Sequence, residues 1–256
     1  MMTKLTKRPP AKYQPKGVTI LHEDRDIIVV EKPCGLLTIG TDRDKSRTAH
    51  SILNEYVRKG DPRSRNRIYV VHRLDRETSG ILLFAKSEAV KLYLQEHWPE
   101  TEKRYLTVVQ GILKEKSGVI SSYLTENSAF RVYSTNDPGT GKLSRTEYTV
   151  LKEARGLSLL EIHLLTGRKH QIRVHLSELG HAVVGDSKYG QGNAPQGFLA
   201  LHARSLSFKH PVSGKLLSFE TPIPAHFTRL IGPVESLYPA DSSQQKLSAQ
   251  PPEEKR

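Results

Sequence analysis

The chain has 256 residues, enough to bury a sizeable core in one large domain or two small ones, and its 36% hydrophobic and 26% charged residues are those of an ordinary globular protein. A formal net charge of +12 points to a polyanionic partner, RNA, DNA or an anionic membrane surface, with a solubilising surface as the plain alternative. The single cysteine, Cys34, excludes an intrachain disulfide and fits a reducing, cytoplasmic setting, and no stretch approaches the ~18 apolar residues of a membrane span.

Residues 1–16 contain Lys4, Lys7, Arg8, Lys12 and Lys16 but no apolar centre of a signal peptide, and are expected to form a flexible basic arm. Val18 to Leu21 and Ile27 to Glu31 read as two strands joined by a polar turn, ended by Lys32-Pro33-Cys34-Gly35. Ala49, Ile52, Leu53, Tyr56 and Val57 fall at helical spacing. Ile68 to Val71 and Ile81 to Ala85 are strand-like, and Ser87 is placed to cap a helix over Glu88 to Trp98. Strands are expected at Tyr105 to Gln110, Thr146 to Leu151 and Leu157 to Leu164, a helix over His170 to Leu179, then strands at Ala203 to Phe208 and Leu216 to Phe219. Strands outnumber helices and the crossovers are irregular, so the fold class is α+β, mixed and largely antiparallel. A single domain over 17–234 is followed by a polar tail, 235–256, too poor in apolar surface to offset the entropy of ordering.

Three constellations carry chemistry. His72-Arg73-Leu74-Asp75-Arg76-Glu77-Thr78-Ser79-Gly80 sets a carboxylate among cations between two apolar strands, where His72, Arg73 and Arg76 favour an ionised, oriented Asp75 acting as nucleophile or base. Thr166-Gly167-Arg168-Lys169-His170-Gln171-Ile172-Arg173 turns at a glycine and opens a helix whose first turn is crowded with cations, a conflict with the helix dipole that an anion would relieve. From that helix Arg173 is positioned to pair bidentately with a carboxylate such as Asp75. Tyr105, flanked by Lys103 and Arg104, has the aromatic-plus-cation pattern on which unstacked bases sit, although strand packing is the commoner fate of a lone tyrosine.

Competing readings are weaker. Asp75 and Glu77, two apart on a strand, project from one face and not from opposite sides of a sugar, which disfavours a glycosidase pair. His170 and His175 lack the spacing of a helical zinc pair, so no metal is expected. Gly185-Asp186-Ser187-Lys188-Tyr189-Gly190 lacks the Walker pattern and reads as a structural turn. Arg43 to Arg47 and the cluster Arg63, Arg65, Arg67 are candidate phosphate contacts or solvated loops.

Taken together, His72-Arg73-Leu74-Asp75 with Thr78-Ser79-Gly80, the Lys103/Tyr105/Gly111 strand, and Thr166-Gly167-Arg168 with His170-Gln171-Ile172-Arg173 resemble the three catalytic motifs of the RluA-type RNA pseudouridine synthases. Gly185-Asp186 with Tyr189-Gly190, Leu201-His202-Ala203 and the opening Ile20 to Pro33 resemble further motifs, from about Val18 to Pro224. Cys34, Thr107, Ser144 and Lys169 depart from the common pattern beside the key positions. The resemblance implies a bifurcated antiparallel sheet with flanking helices around an RNA cleft, and cofactor-independent isomerisation of uridine. It implies that Asp75 is the catalytic carboxylate and that Tyr105 packs on the base and is a candidate for removing its C5 proton. Arg173 would pair with the aspartate, Ile172 line the pocket and Arg73 help displace the base, with Thr166, Gly167, Arg168, His170 and Gln171 binding substrate. The implied partner is structured RNA, ribosomal somewhat ahead of transfer RNA, acted on by a monomer. With too few residues before the first strand for the small RNA-binding module of many members, recognition is expected to rest on the catalytic domain and its arm. A non-catalytic RNA-binding protein on the same scaffold is the alternative, disfavoured because Asp75, Tyr105 and Arg173 are all present.

Overall fold

The computed structural model describes residues 14–40, 47–190 and 198–234; most of the basic arm, the tail from Glu235 and the phosphate candidates from Arg43 to Ser46 lie outside the described residues. Among the described residues the chain opens with the hairpin β1 (Thr19–Glu23) and β2 (Ile27–Lys32), then α1 (Ala49–Arg58), β3 (Tyr69–Val70), β4 (Ser79–Ala85) and α2 (Glu88–Glu96). There follow β5 (Glu102–Gln110), β6 (Ser117–Glu126), β7 (Val132–Thr135), β8 (Lys142–Ala154) and β9 (Leu157–Leu164), then α3 (Gln171–Glu178), β10 (Leu201–Lys209), β11 (Leu216–Glu220) and α4 (Ala225–Ile231).

The strands make one sheet in the order β1-β2-β4-β10-β5-β9-β8-β6-β7, with β3 beside β4 and β11 beside β10. Every pairing is antiparallel except β4 with β10, which is parallel and spans only Ser79 and Gly80 against His202 and Ala203. Past that seam the two strands part: β4 takes up β3 at Phe84 and Ala85, and β10 takes up β11 from Ser205 to Lys209. The sheet is bifurcated there, and the loop from Val71 to Thr78 enters β4 at the seam.

Local chemistry fixes the elements. Thr48 caps α1 through a reciprocal capping box with Ser51, and the Ser87 hydroxyl accepts the Val90 N–H at the start of α2. The second helix stops at Glu96, short of the predicted Trp98, because Pro99 belongs to a 3-10 turn, Trp98–Glu100. The β1-β2-β4 half of the sheet is covered on both faces, by Ile52 and Leu53 of α1 over Val30 and Phe84, and by Val90 and Leu94 of α2 over Val29 and Leu83. That double cover is why β4 is buried throughout and reads as an unbroken apolar run. In the other half, α3 and α4 pack Leu176, Phe227 and Ile231 against Leu106, Leu160 and Ile162.

Four elements go beyond the sequence reading. β8 is a 13-residue strand, longer than Thr146 to Leu151, and β6 and β7 extend the sheet beyond it. β6 carries no periodic apolar signal because only Leu124 of its ten residues is buried and Val119 faces solvent. α4 is seven residues long, under the length at which apolar periodicity separates from chance.

Candidate active site

The catalytic-type loop is stapled from beneath by the segment after β2. Lys32 is fully buried, and its ammonium donates to the carbonyls of Pro33, Leu36 and Arg76 at 2.9, 2.7 and 3.1 Å. Burial pulls its pKa down to about 8. The Thr38 hydroxyl donates to the Leu74 carbonyl and accepts the Leu74 N–H, at 2.8 and 3.1 Å, while the Cys34 thiol donates to the Glu77 carbonyl. Gly80 closes the loop onto β10: with φ +114°, a Cβ there would stand 2.2 Å from the Ala203 carbonyl oxygen, so only glycine permits the seam. Ser79 and Thr221 bond the two nitrogens of buried His202, each at 2.8 Å, tying the seam to the end of β11.

Asp75 therefore projects from a fixed loop into a cleft of about 920 Å³ that Tyr105, Ile172 and Arg73 also line. Its carboxylate is 26% exposed and accepts from Arg173 Nη1 at 3.1 Å. His170 Nε2 lies 3.7 Å from the same oxygen, and Glu77 comes within 3.9 Å of Arg173 Nη1. Asp75 and Glu77 lie in a loop and converge on one guanidinium, not side by side on a strand as read from the sequence.

The bidentate partner of Arg173 is not Asp75 but Asp186. Arg173 Nε and Nη2 donate to the two oxygens of Asp186, each at 2.8 Å, leaving Nη1 for Asp75. The Asp186 side chain is wholly buried and also accepts the N–H groups of Lys188 and Tyr189, each at 2.9 Å. Burial opposes its charge, yet the Arg173 hydrogen bonds and charge prevail and lower its pKa; the same pairing, against the same opposition from burial, raises that of Arg173. The turn from Gly185 to Gly190, read as merely structural, supplies the anchor that aims the guanidinium. A carboxylate inside a glycine-bounded turn was the available signal.

The cations around Asp75 are arranged differently from the sequence reading. His72 turns inward, stacks on Trp98 at 4.3 Å and accepts the Leu83 N–H, and burial lowers its pKa to about 3, so it is neutral and adds no charge. Arg73 is exposed at the cleft. Lys103 is buried over the Trp98 ring and donates to the Trp98 and Thr101 carbonyls, while Arg104, on the opposite face of β5, pairs with Glu102 and Glu161. Of the two cations flanking Tyr105, Lys103 shares its face and lines the cleft with its ammonium bound to carbonyls, while Arg104 faces away. Burial first and the Asp75 charge second push its hydroxyl well above the ordinary phenol range.

Arg168, Lys169 and His170 precede α3 and do not occupy its first turn. His170 is the N-cap residue, in a left-handed conformation with φ +54°, and its Nδ1 is 2.8 Å from the Tyr189 hydroxyl, which also accepts the Val132 N–H. The arrangement that satisfies all three has Tyr189 donating to Nδ1 and the imidazole proton on Nε2, facing Asp75. Burial lowers the His170 pKa in spite of the Asp75 charge. Gln171 is buried: its Oε1 accepts the Thr166 hydroxyl and the Arg168 N–H, and its Nε2 donates to the Arg145 carbonyl and the Thr146 hydroxyl. Thr166 and Gln171 hold the loop in shape, while Gly167 and Arg168 line the cleft. A Cβ on Gly167 would meet nothing within 4 Å, so the protein's own packing does not require glycine there. Of the second arginine cluster, Arg63, Arg65 and Arg67 are exposed, and Arg67 donates to the carbonyls of Ser64 and Asn66.

The carboxylate and its basic rim sit where the sheet divides, an arrangement suited to an enzyme with an anionic substrate, and comparison with known proteins gives the family. A model of RNA pseudouridylate synthases matches residues 26–178. The uncharacterized RNA pseudouridine synthase YhcT of Bacillus subtilis is 36% identical over 216 residues, 82% of this chain and 70% of that protein. The ribosomal large subunit pseudouridine synthase D of Haemophilus ducreyi is 29% identical over 89% of this chain and 74% of its own length. Among solved structures, human RNA pseudouridylate synthase domain containing 1 superposes with a TM-score of 0.66 at 28% identity, covering 90% of this chain and 89% of that one. Human RNA pseudouridylate synthase domain containing 4 shares the fold at a TM-score of 0.68, over 82% and 90% of the two chains. The chain belongs to the RNA pseudouridine synthase family, and is an isomerase. None of its described helices is long and apolar enough to cross a membrane.

Proposed function

We propose that this protein isomerises specific uridines of structured RNA to pseudouridine, with Asp75 as the catalytic carboxylate. The observation that carries the reading is the Asp75 carboxylate, open to the cleft, aimed by a guanidinium that Asp186 holds from behind. A uridine inside a stem-loop must leave its stack before its C1′ reaches this carboxylate, at a cost of a few kcal/mol. Exposed Arg73 beside Asp75 is suited to fill the vacated space. Asp75 then acts on the ribose, as nucleophile at C1′ or as base toward a sugar proton. The C1′–N1 bond breaks, the uracil turns between Tyr105 and Ile172, C5 joins C1′, and the C5 proton departs while N1 gains one.

Tyr105 serves first as the surface on which the base rests. With Asp75 charged, its hydroxyl is a neutral phenol and no base. To take the C5 proton the Tyr105 oxygen must release its own proton, which goes to N1 or to solvent; if Asp75 spends its charge on an ester to C1′, the electrostatic part of the opposition to that release disappears while the larger part, burial, stays. Arg73, Gly167, Arg168 and His170 contact substrate, and no metal or cofactor takes part. Ribosomal RNA is favoured over transfer RNA because a relative 29% identical bears a ribosomal large-subunit name. The protein acts in the cytoplasm as a monomer. Mapping pseudouridines in total RNA from cells with and without the protein tests this: sites lost from ribosomal RNA are expected, and an unchanged map would overturn it.

A further inference from the structure

Two features of the sequence have no place in the cleft: the cluster Arg63, Arg65 and Arg67, and much of the +12 net charge. Both lead to the ground between α1 and the β1-β2 turn. A cavity of about 920 Å³ there is walled by Arg25, Tyr56, Lys59, Arg67 and Lys86, and a second, of about 510 Å³, shares Arg67 with it and runs past Arg58 to Ile68 and Tyr69. The next two residues, Val70 and Val71, line the Asp75 cleft, so three hollows follow one another along residues 67–71. From Arg67 to Val70 is at most about 11 Å of chain.

The charge of this trench is unbalanced. Among the described residues five cations line it, Arg25, Arg58, Lys59, Arg67 and Lys86, against two carboxylates that are already engaged. Glu23 takes the Lys86 ammonium at 2.6 Å and the Tyr56 hydroxyl at 2.8 Å, and Glu55 pairs with Arg47 at 3.8 Å. Arg25, Arg58 and Lys59 are in no ion pair among the described residues, nor are exposed Arg63 and Arg65 beside them.

The loop that carries these groups is pinned to α1. Asn66 Nδ2 donates to the Val57 carbonyl and the Ile68 N–H to Asn54 Oδ1, while the Asp61 carboxylate accepts the Arg63 N–H and the Asp61 carbonyl that of Ser64. Arg67 Nη1 donates to the Ser64 and Asn66 carbonyls at 2.7 and 2.9 Å, which fixes the guanidinium and leaves Nε and Nη2, an edge that takes an anion bidentately. Lys59 closes α1 in the left-handed region, φ +51°, where Gly or Asn costs less. Fixed cations spaced along a groove that leads into the cleft suit the phosphodiester backbone of RNA, because their ordering is complete before it binds.

We propose that this trench is a second RNA-binding surface, which holds phosphates of the substrate's stem while its loop lies in the Asp75 cleft. This rests on the reading of the cleft as an RNA isomerase site and adds the path of the remaining RNA. Phosphate contacts carry no sequence information, so the trench supplies affinity and register, and the choice of uridine stays with the cleft.

The test uses stem-loops around a uridine mapped in ribosomal RNA, with the stem phosphates native or replaced by uncharged methylphosphonates. Fluorescence-anisotropy binding from about 0.1 to 1 M salt and single-turnover rates are read for wild type and Arg25→Gln/Lys59→Gln/Arg67→Gln. On the native stem the triple variant is expected to flatten the slope of log Kd against log salt by about 2–3 and to raise Kd about 100- to 500-fold at 0.1 M salt, converging with wild type near 1 M, with the rate at saturating RNA little changed. Arg25→Gln/Lys59→Gln removes only groups in no ion pair, so it keeps the fold in any case, and should give about two-thirds of that slope change. The same loss of charge at Lys114, Arg155 and Arg229, exposed around the β8-β9 turn, should move the slope by less than about one. On the uncharged stem wild type and the triple variant should bind alike. An unchanged slope, an equal change in the control variant, or a loss that persists on the uncharged stem would each overturn the trench. Absence of turnover by wild type would count against the isomerase reading alone, because the salt slopes still decide the trench.

Discussion

Asp186→Asn is the substitution that most sharply separates a turn from an anchor. The carboxylate accepts four hydrogen bonds within a side chain that water does not reach. An amide cannot accept on both ends. Its least costly orientation keeps its oxygen toward Arg173 Nη2 and the two backbone N–H groups, and turns its NH2 onto Arg173 Nε, donor against donor. Arg173, only 5% exposed, then retains its full charge with Asp75 as its close counter-ion. Removing one partner of a buried ion pair costs roughly 3–5 kcal/mol, and the three surviving hydrogen bonds put this case near 3. For a domain of this size that lowers Tm by about 6–12 °C. Since the guanidinium also aims Asp75, turnover should fall at least about tenfold, with RNA affinity nearly intact. Asp75→Asn, by contrast, removes one hydrogen bond at a partly exposed carboxylate and should stay within about 1 kcal/mol of wild-type stability. Urea denaturation and single-turnover kinetics on the two variants decide the matter. Wild-type stability and rate in Asp186→Asn, or a larger stability loss in Asp75→Asn, would refute the reasoning.

Acid should unfold the protein through His175 and His202, which are buried, and His72, which is half-buried. The pKa values of His72 and His202 are lowered from 6.5 to about 3, and that of His175 to about 4, by burial in each case. Between those values and 6.5 the unfolded chain holds more protons than the folded one, so stability is full above 6.5 and falls as pH drops, with uptake of up to three protons on unfolding. Urea midpoints at pH 7, 6 and 5 should decline, and a flat series would contradict this. Gly80→Ala places a methyl group 2.2 Å from the Ala203 carbonyl at the two-residue seam, and should abolish the folded state as read by near-ultraviolet circular dichroism; a native spectrum would show that the seam can yield. Tyr105→Phe should bind RNA with little loss yet release tritium from 5-tritiated uridine far more slowly, whereas release at the wild-type rate would leave Tyr105 as a stacking surface alone.

Most of the sheet was legible because burial left its mark on composition. β2, β4, β5 and β9 are buried on one or both faces and appear as apolar or alternating runs, and the cap at Ser87 obeys a local rule. β6 and β7 left no such mark, since their pairing rests on backbone hydrogen bonds beside an exposed surface. Asp75, Arg173 and Tyr105 are legible as residues, and so is the contact between Asp75 and Arg173, but the bidentate partner Asp186 is not. Which cations face Asp75 depends on side-chain direction, and His72 and Lys103 turn inward to Trp98, a residue distant in sequence from one of them. Arg173 could be matched with a carboxylate from its chemistry, but the choice between Asp75 and Asp186 is made by where two loops meet in space.

The most direct test of the central claim is complementation with Asp75→Asn. Cells lacking the protein receive either the wild-type chain or Asp75→Asn at equal abundance, and pseudouridines are mapped in their ribosomal and transfer RNA. The wild-type chain is expected to restore every missing site and Asp75→Asn none, while the purified variant keeps its fold and its affinity for RNA. Restoration of those sites by Asp75→Asn would contradict it.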